Sequence, residues 1–133
     1  MRVDEMPAGG KLNCLIAERL FNWEDAGWDP LYCRFVGHPT KERYRWYEQV
    51  PDYSTDIARA WEVVEKMDKL GFRYAIGNTS TSNGEMKWHR AMFQRSYPEP
   101  FRINYKQYKT SKTPSAPLAI CRAALKAMGV TEC

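Results

Sequence analysis

Apolar residues recur at helical spacing in three segments of the chain. The segments are "KLNCLIAERLF", "DIARAWEVVEKM" and "APLAICRAALKAMG", and each pattern predicts an amphipathic helix. The first helix is expected from about Leu12 to Phe21, the second ends at Gly71, and the third begins at Pro117 and ends at Gly129. The predicted apolar stripe of the second helix comprises Ile57, Ala60, Trp61, Val64, Met67 and Leu70.

Strict alternation between the second and third helices predicts three antiparallel strands. "FRYAI" and "MKWHRAMFQ" flank Asn83-Gly84, which is a strong signal for a two-residue hairpin turn. If Ser82 faces Glu85, the register pairs are Tyr74 with Phe93, Ala75 with Met92 and Ile76 with Ala91. "FRINYKQY" is the third strand.

This register divides the predicted sheet into two faces. One face is apolar, with Phe72, Tyr74, Ile76, Ala91 and Phe93. The apolar side of the third strand, at Phe101, Ile103 and Tyr105, is expected to join the core. The other face is then basic around an aromatic ring, and its predicted members are Arg73, Trp88, Arg90, Arg102 and Lys106. A slip of one residue would replace Trp88 and Arg90 by Lys87 and His89.

The order of elements predicts an α+β fold. We expect one domain over residues 1–133, a compact α/β/α-type sandwich in which three helices pack on a three-stranded or slightly larger antiparallel sheet. "LYCRFV" and "RYRWYE" could add short strands. The aromatic segment 22–53 that contains them has no sustained period, and it is either part of the core or a binding surface.

Composition limits the classes of protein to consider. The chain is 44% hydrophobic, with a net charge of +4, which predicts a folded domain with a mild preference for anions. The segment from Glu85 to Lys112 is more basic, with seven Lys or Arg residues against two Glu. The four scattered cysteines predict reduced thiols in an intracellular protein. No apolar run is long enough to cross a membrane.

The sequence carries no recognisable catalytic or metal-binding motif. His38 and His89 are far apart and have no Cys or carboxylate at ligand spacing. A nucleophile elbow and a glycine-rich phosphate loop are both missing. We therefore expect a protein that is not an enzyme and needs no cofactor, although catalytic groups dispersed along the chain would escape this search.

Aromatic rings beside guanidinium groups suit a planar anionic ligand such as a nucleotide, because the ring stacks on the base and the cation binds the phosphate. Alternatively, the aromatic rings of segment 22–53 fill the core. The candidate ligand-binding residues are Arg73, Trp88, Arg90, Arg102, Lys106, Tyr53, Ser54, Trp46 and Arg45.

The start of the second helix, "YSTDI", has two interpretations. Ser54 or Thr55 is a good N-cap, with Asp56 in the first turn. The same backbone N–H groups could hold an anion. A carboxylate in the first turn repels a phosphate, so the structural role is favoured, and at most Tyr53 and a hydroxyl would touch a ligand.

Three blocks of the chain resemble the phage ABA-sandwich domain family. They are "PAGGKLNCLIAERLFNW", "VPDYSTDIARAWEVVEKM" with "GFRYAI" after it, and "APLAICRAALKAMG". The resemblance implies an α/β sandwich and a phage-encoded protein of the host cytoplasm. It implies no reaction, because fold alone does not determine function.

The leading functional hypothesis is a non-catalytic phage accessory protein that sequesters a nucleotide-derived small molecule, such as a host immune signal. We expect it to be a homo-oligomer, because subunit interfaces supply pocket walls. One alternative is a protein-binding module that inhibits a host enzyme. Another is weak nucleic-acid binding through the basic segment, which is less favoured because the charge is moderate and no nucleic-acid motif is present.

Overall fold

The computed structural model describes residues 2–39, 47–80, 87–99, 102–109 and 113–130. The chain begins with a short 3-10 helix, Val3–Glu5. The elements that follow, in chain order, are α1 (Gly10–Phe21), β1 (Glu24–Asp29), β2 (Arg34–His38), β3 (Glu48–Gln49), α2 (Ile57–Lys69), β4 (Arg73–Ser80), β5 (Lys87–Glu99), β6 (Arg102–Lys109) and α3 (Ala116–Ala127). The α+β class and the three helices are confirmed.

Helix α3 lies at the centre of the fold. Every residue from Pro117 to Leu125 is buried, because α1, α2, the first 3-10 helix, β5 and β6 all pack against it. A helix that is mostly apolar on all sides is typical of such a position, and Arg122 is the charged exception within this buried span. The single apolar stripe predicted for this helix therefore understated its burial.

The predicted three-stranded sheet is present, in the order β4-β5-β6. Tyr74 pairs with Phe93, Ala75 with Met92 and Ile76 with Ala91, which confirms the predicted register. The turn that led to this register lies outside the described residues. Ala91 and Phe93 are buried on the helix-facing side of the sheet. We call the opposite side, with Arg73, Trp88 and Arg90, the outer face.

The prediction that Arg102 and Lys106 share the outer face is wrong. In the register of β5 and β6, Arg102 pairs with Glu99 and Lys106 pairs with Arg95. Directly opposed residues of an antiparallel pair belong to the same face, and Arg95 is in phase with Phe93. The positions of Arg102 and Lys106 are therefore on the helix-facing side. The prediction assumes that the apolar side of the third strand faces the helices. The observed pairing of β5 with β6 places that apolar side on the outer face instead.

A second antiparallel sheet, in the order β1-β2-β3, packs against α1. Strand β2 covers only the end of the predicted "LYCRFV" strand and continues beyond it. Of "RYRWYE", Glu48 lies in β3, whereas residues 43–46 are outside the described part of the chain. Strand β1 was not predicted, because "EDAGWD" lacks β-branched residues and the β1–β2 register shifts between Glu24 and Gly27.

The structure also corrects the predicted N-cap of α2. Asp56 is the N-cap, and its side chain accepts a hydrogen bond from the Ala58 N–H at 2.9 Å, so neither Ser54 nor Thr55 caps the helix. The buried side of α2 includes Val63, while Ile57 and Trp61 of the predicted stripe are exposed. Gly71 follows the helix in a left-handed conformation, as expected of a residue that ends a helix.

Within the described residues, none of the helices is both long and apolar enough to cross a membrane. Cys14 and Cys121 are buried free thiols, and Cys33 is an exposed free thiol.

Candidate ligand-binding cleft

A cleft of about 720 Å³ lies between the start of α1 and the β1–β2 hairpin. Its volume is in the range of small-molecule sites. One wall is the chain that enters α1, and the other consists of β1 and β2. The lining residues include Met6, Gly10, Lys11, Cys14, Leu15, Glu18, Ala26, Trp28 and Phe35. The cleft is therefore mainly apolar and has two charged side chains at its margin.

Two aromatic rings form the wall that the hairpin contributes. Trp28 and Phe35 are paired across β1 and β2, and their ring centroids are 5.1 Å apart in an edge-to-face arrangement. The Phe35 ring lies directly against Gly10, where a β-carbon would overlap it. Gly10 thus allows the hairpin to approach α1, and it leaves Trp28, which is 55% exposed, free to contact a ligand.

A second cavity of about 250 Å³ adjoins the first and shares Gly9, Gly10, Trp28 and Phe35 with it. Its lining adds the polar side chains of Asn13, Arg34, Gln49, Asp52 and Thr55. Helix α1 begins after Gly9 without a side-chain cap, so its positive dipole end borders both cavities. Lys11 and Arg34 add cationic charge near the same aromatic wall.

Buried hydrogen bonds brace this region. The Ser54 backbone N–H and its hydroxyl both donate to Asn13 Oδ1, at 2.9 and 2.7 Å, and the Gly9 N–H donates to Ser54 Oγ at 3.0 Å. Tyr53 is buried beside them and stacks on Phe21 at 5.2 Å. Burial, with the charge of Glu62 adding to it, raises the pKa of Tyr53 well above its usual value. Tyr53 and Ser54 thus have internal structural roles in this structure.

The predicted ligand-binding residues do not form one site. Tyr53 and Ser54 lie near α1, whereas Arg73, Trp88 and Arg90 lie on the outer face of the β4-β5-β6 sheet. Arg102 and Lys106 occupy helix-facing positions of β6. Arg45 and Trp46 are outside the described residues. The cleft residues Trp28 and Arg34 belong to the aromatic segment noted in the sequence, but the sequence did not indicate that they lie beside α1, since β1 has no strand pattern.

The polar groups of the cleft do not form an activated nucleophile. Burial and, to a smaller extent, the negative charge of Glu18 raise the pKa of Cys14 to about 11. Its thiol is therefore protonated at neutral pH. Glu18 Oε1 accepts a hydrogen bond from the Ala26 N–H at 3.2 Å. Over the part of the chain that the structure describes, no three His, Cys, Asp or Glu side chains are grouped closely enough to hold a metal ion.

The tip of the β1–β2 hairpin is strongly exposed. Leu31 is 79% and Tyr32 is 64% accessible. Asp29 Oδ1 accepts a hydrogen bond from the Leu31 N–H at 2.9 Å, which fixes the turn in an Asx conformation. The Arg34 guanidinium lies 5.2 Å from the centroid of the Tyr32 ring. The tip therefore presents apolar and cationic surface on a braced turn.

Comparison with curated protein sequences finds no match. A family model, described as the phage ABA sandwich domain, matches residues 14–125. This range contains α2 and every strand of both sheets completely, and most of α1 and α3. The match points to a phage protein, in agreement with the resemblance noted in the sequence. Since it covers most of the chain, the protein belongs to the phage ABA sandwich domain family.

Proposed function

We propose that this phage protein binds a nucleotide-derived small molecule in the cleft beside α1, without converting it, and so sequesters it in the host cytoplasm. The observation that carries the proposal is the exposed face of Trp28, held by Phe35 beside Lys11 and Arg34. A planar base would stack on the indole, and the phosphates would contact the two cations.

The two adjoining cavities fit the two halves of such a ligand. The larger one is mainly apolar and would take the base, whereas the smaller one has Arg34, Gln49 and Thr55 for polar groups. The protonated state of Cys14 and the hydrogen bond of Glu18 to the backbone fit binding without turnover. The cleft is open on one side, and the expected homo-oligomer would supply a further wall.

The test is a thermal-shift panel of cyclic mononucleotides, cyclic dinucleotides and ADP-ribose derivatives. A ligand at 100 times its Kd adds roughly 2.7 kcal/mol to the free energy of unfolding, which raises Tm by several degrees. Trp28→Ala should abolish the shift, whereas Trp61→Ala, a matched loss of an exposed Trp on α2, should keep it. A panel without any shift, or equal loss in both variants, contradicts the proposal. Intact ligand recovered after heating separates sequestration from catalysis.

The hairpin tip supports a second candidate function, inhibition of a host enzyme by docking. Tyr, Trp and Arg are the residues that most often dominate protein interfaces, and the braced turn with Leu31 at its tip lowers the entropy cost of insertion into a groove. A photo-crosslinking residue at position 31 should then capture one specific protein, and capture should be lost in Tyr32→Ala. The control is the same crosslinker at Glu65, an exposed position on α2. Equal capture from both positions contradicts docking by the tip.

A further inference from the structure

The outer face of the β4-β5-β6 sheet is a separate, open surface. Arg73, Ala75, Gly77 and Arg90 are exposed on it, and Trp88 and Met92 are partly exposed. Helices α2 and α3 pack on the opposite side, where Ala91 and Phe93 are buried. The outer face shares no residue with the cleft beside α1. A ligand here would therefore be bound independently of one in the cleft.

The charge on this face is of one sign. By register, the outer positions of β4 and β5 include Arg73 and Arg90, and those of β6 include Lys109, which pairs with Met92. None of the outer positions of the three strands is Asp or Glu. The side chains of Arg73 and Arg90 make no ion pair or hydrogen bond with another residue that the structure describes. Such a surface favours an anionic partner.

Apolar and cationic side chains alternate along this face. On β5, Trp88 and Met92 stand on either side of Arg90. The register places Ala75 beside Met92 and Gly77 beside Arg90, and a β-carbon at Gly77 would meet nothing within 4 Å. The β4 side is therefore low and flat. It leaves the side chains of Arg90 and Met92 accessible from that side, and Trp88 next to Arg90 is partly exposed.

The spacing of the two arginines matches a ligand that is extended. Arg90 pairs with Gly77, which is four positions along β4 from Arg73. The backbone positions of the two arginines are therefore roughly 13 Å apart along the strand direction. The space between them has the accessible apolar surface of Met92 and Ala75. A chain of alternating phosphates and bases fits this pattern, because phosphates would contact the arginines while a base lies flat on the apolar surface.

We infer that the outer face of the β4-β5-β6 sheet binds single-stranded nucleic acid without sequence preference. Arg73 and Arg90 contact phosphates, and Trp88 stacks on a base. Stacking accepts any base because each has a planar face. A duplex fits less well, since its bases are already stacked and the flat sheet face projects no element into a groove.

The experiment is fluorescence anisotropy of the full chain with a labelled single-stranded oligonucleotide of about twelve nucleotides, a length within known site sizes. Binding at low salt should weaken as salt rises. Arg90→Gln and Arg73→Gln should each raise Kd at least about tenfold, and each should reduce the slope of log K against log salt by about 0.7. Lys69→Gln, which removes one exposed cation at the end of α2, should leave Kd unchanged.

Trp88→Ala should weaken binding and Trp88→Phe should retain most of it, because a phenyl ring also stacks. Circular dichroism checks that each variant is folded. If Trp88→Ala is not folded, the two arginine variants alone test the inference. Three results would overturn the inference: no anisotropy change at low salt, equal loss in Lys69→Gln and the arginine variants, or a matched duplex that binds as tightly. Competition by polyglutamate as strong as that by unlabelled oligonucleotide would overturn it in favour of an acidic protein partner.

Discussion

Ser54 is joined to Asn13 by two buried hydrogen bonds, one from its backbone N–H and one from its hydroxyl, both to Asn13 Oδ1. The hydroxyl also accepts from the Gly9 N–H. These bonds connect the approach to α2 with the start of α1, although the two residues are 41 positions apart in sequence. The backbone on which the cleft is built is thereby fixed from within the protein.

Ser54→Ala is expected to lower the free energy of unfolding by about 1–3 kcal/mol, because it removes the buried hydroxyl bond to Asn13 and leaves the partly buried Gly9 N–H without its acceptor. Urea unfolding followed by circular dichroism measures the change. Thr55→Ala removes the neighbouring hydroxyl from an exposed side chain and should change stability by less than about 0.5 kcal/mol. If the two substitutions cost the same, the bond network is not what stabilises this region.

The same residue shows where prediction from the sequence stops. The letters "STD" mark a helix start, and α2 does begin there. Which of these three residues caps the helix depends on the local backbone conformation. Ser54 is hydrogen-bonded to Asn13 instead, and the sequence pattern does not identify Asn13 as its partner. Local signals therefore located the element, but the long-range contact decided the role of the side chain.

The two sheets also differ in how much of their structure the sequence predicts. Asn83-Gly84 led to the pairing of Tyr74 with Phe93 because the residues on the two sides can be counted from a short turn. The face of β6 depended on the pairing of Glu99 with Arg102, which no comparable signal indicates. Strand β1, half of the cleft wall, has Gly27 and a left-handed Asp25 in place of an alternating pattern. The candidate cleft was therefore not predictable, although Trp28 and Arg34 lie in the aromatic segment 22–53 that the sequence marks out.

Gly10→Ala is expected to destabilise the protein, even though Ala is usually better than Gly in a helix by about 1 kcal/mol. A β-carbon at this position overlaps the Phe35 ring, and overpacking of this kind costs about 1–3 kcal/mol. Thermal unfolding of the variant measures the loss. Gly27→Ala is the control, because a β-carbon there meets nothing within 4 Å.

A double-mutant cycle identifies the cause. In a Phe35→Ala background, Gly10→Ala should lose its cost or become mildly stabilising, since the ring that it displaces has been removed. An equal cost in both backgrounds would show that the overlap with Phe35 is not responsible.

Arg122→Met is expected to release the N-terminal segment. The buried Arg122 guanidinium donates two hydrogen bonds to the Met6 carbonyl oxygen, from Nε at 3.1 Å and from Nη2 at 2.7 Å. Hydrogen bonds from a charged group contribute about 1.5–3 kcal/mol, and they hold the segment whose Val3 side chain is buried in the core. Limited proteolysis should cut the variant near its N-terminus faster than the wild type.

Lys126→Met provides the comparison for Arg122. Lys126 pairs with Asp4 at 3.0 Å, and about a quarter of each side chain is exposed, so loss of this pair should cost no more than about 1 kcal/mol. If Lys126→Met accelerates proteolysis as much as Arg122→Met, the bonds to Met6 are not the main attachment of this segment.

High pH is expected to destabilise the protein. Burial raises the pKa of the thiols of Cys14 and Cys121, and it raises the pKa of the Tyr53 phenol. In the unfolded chain the thiols lose their protons near pH 9.0, whereas in the folded protein they keep them, to about pH 11 for Cys14. The unfolded state therefore binds fewer protons above pH 9, and the free energy of unfolding must fall as pH rises. The stabilisation by these groups is complete below pH 9 and is lost as pH rises toward their folded pKa values.

Urea unfolding between pH 7 and pH 10.5 should thus show a plateau and then a decline, with each thiol contributing at most about 1.4 kcal/mol per pH unit. Cys121→Ala removes one of these groups and should make the decline shallower, although its cavity lowers stability at every pH. Cys33→Ala, which removes an exposed thiol, is the matched control substitution. A flat profile up to pH 10.5, or the same slope in the wild type and Cys121→Ala, would contradict the assignment of the alkaline decline to buried thiols.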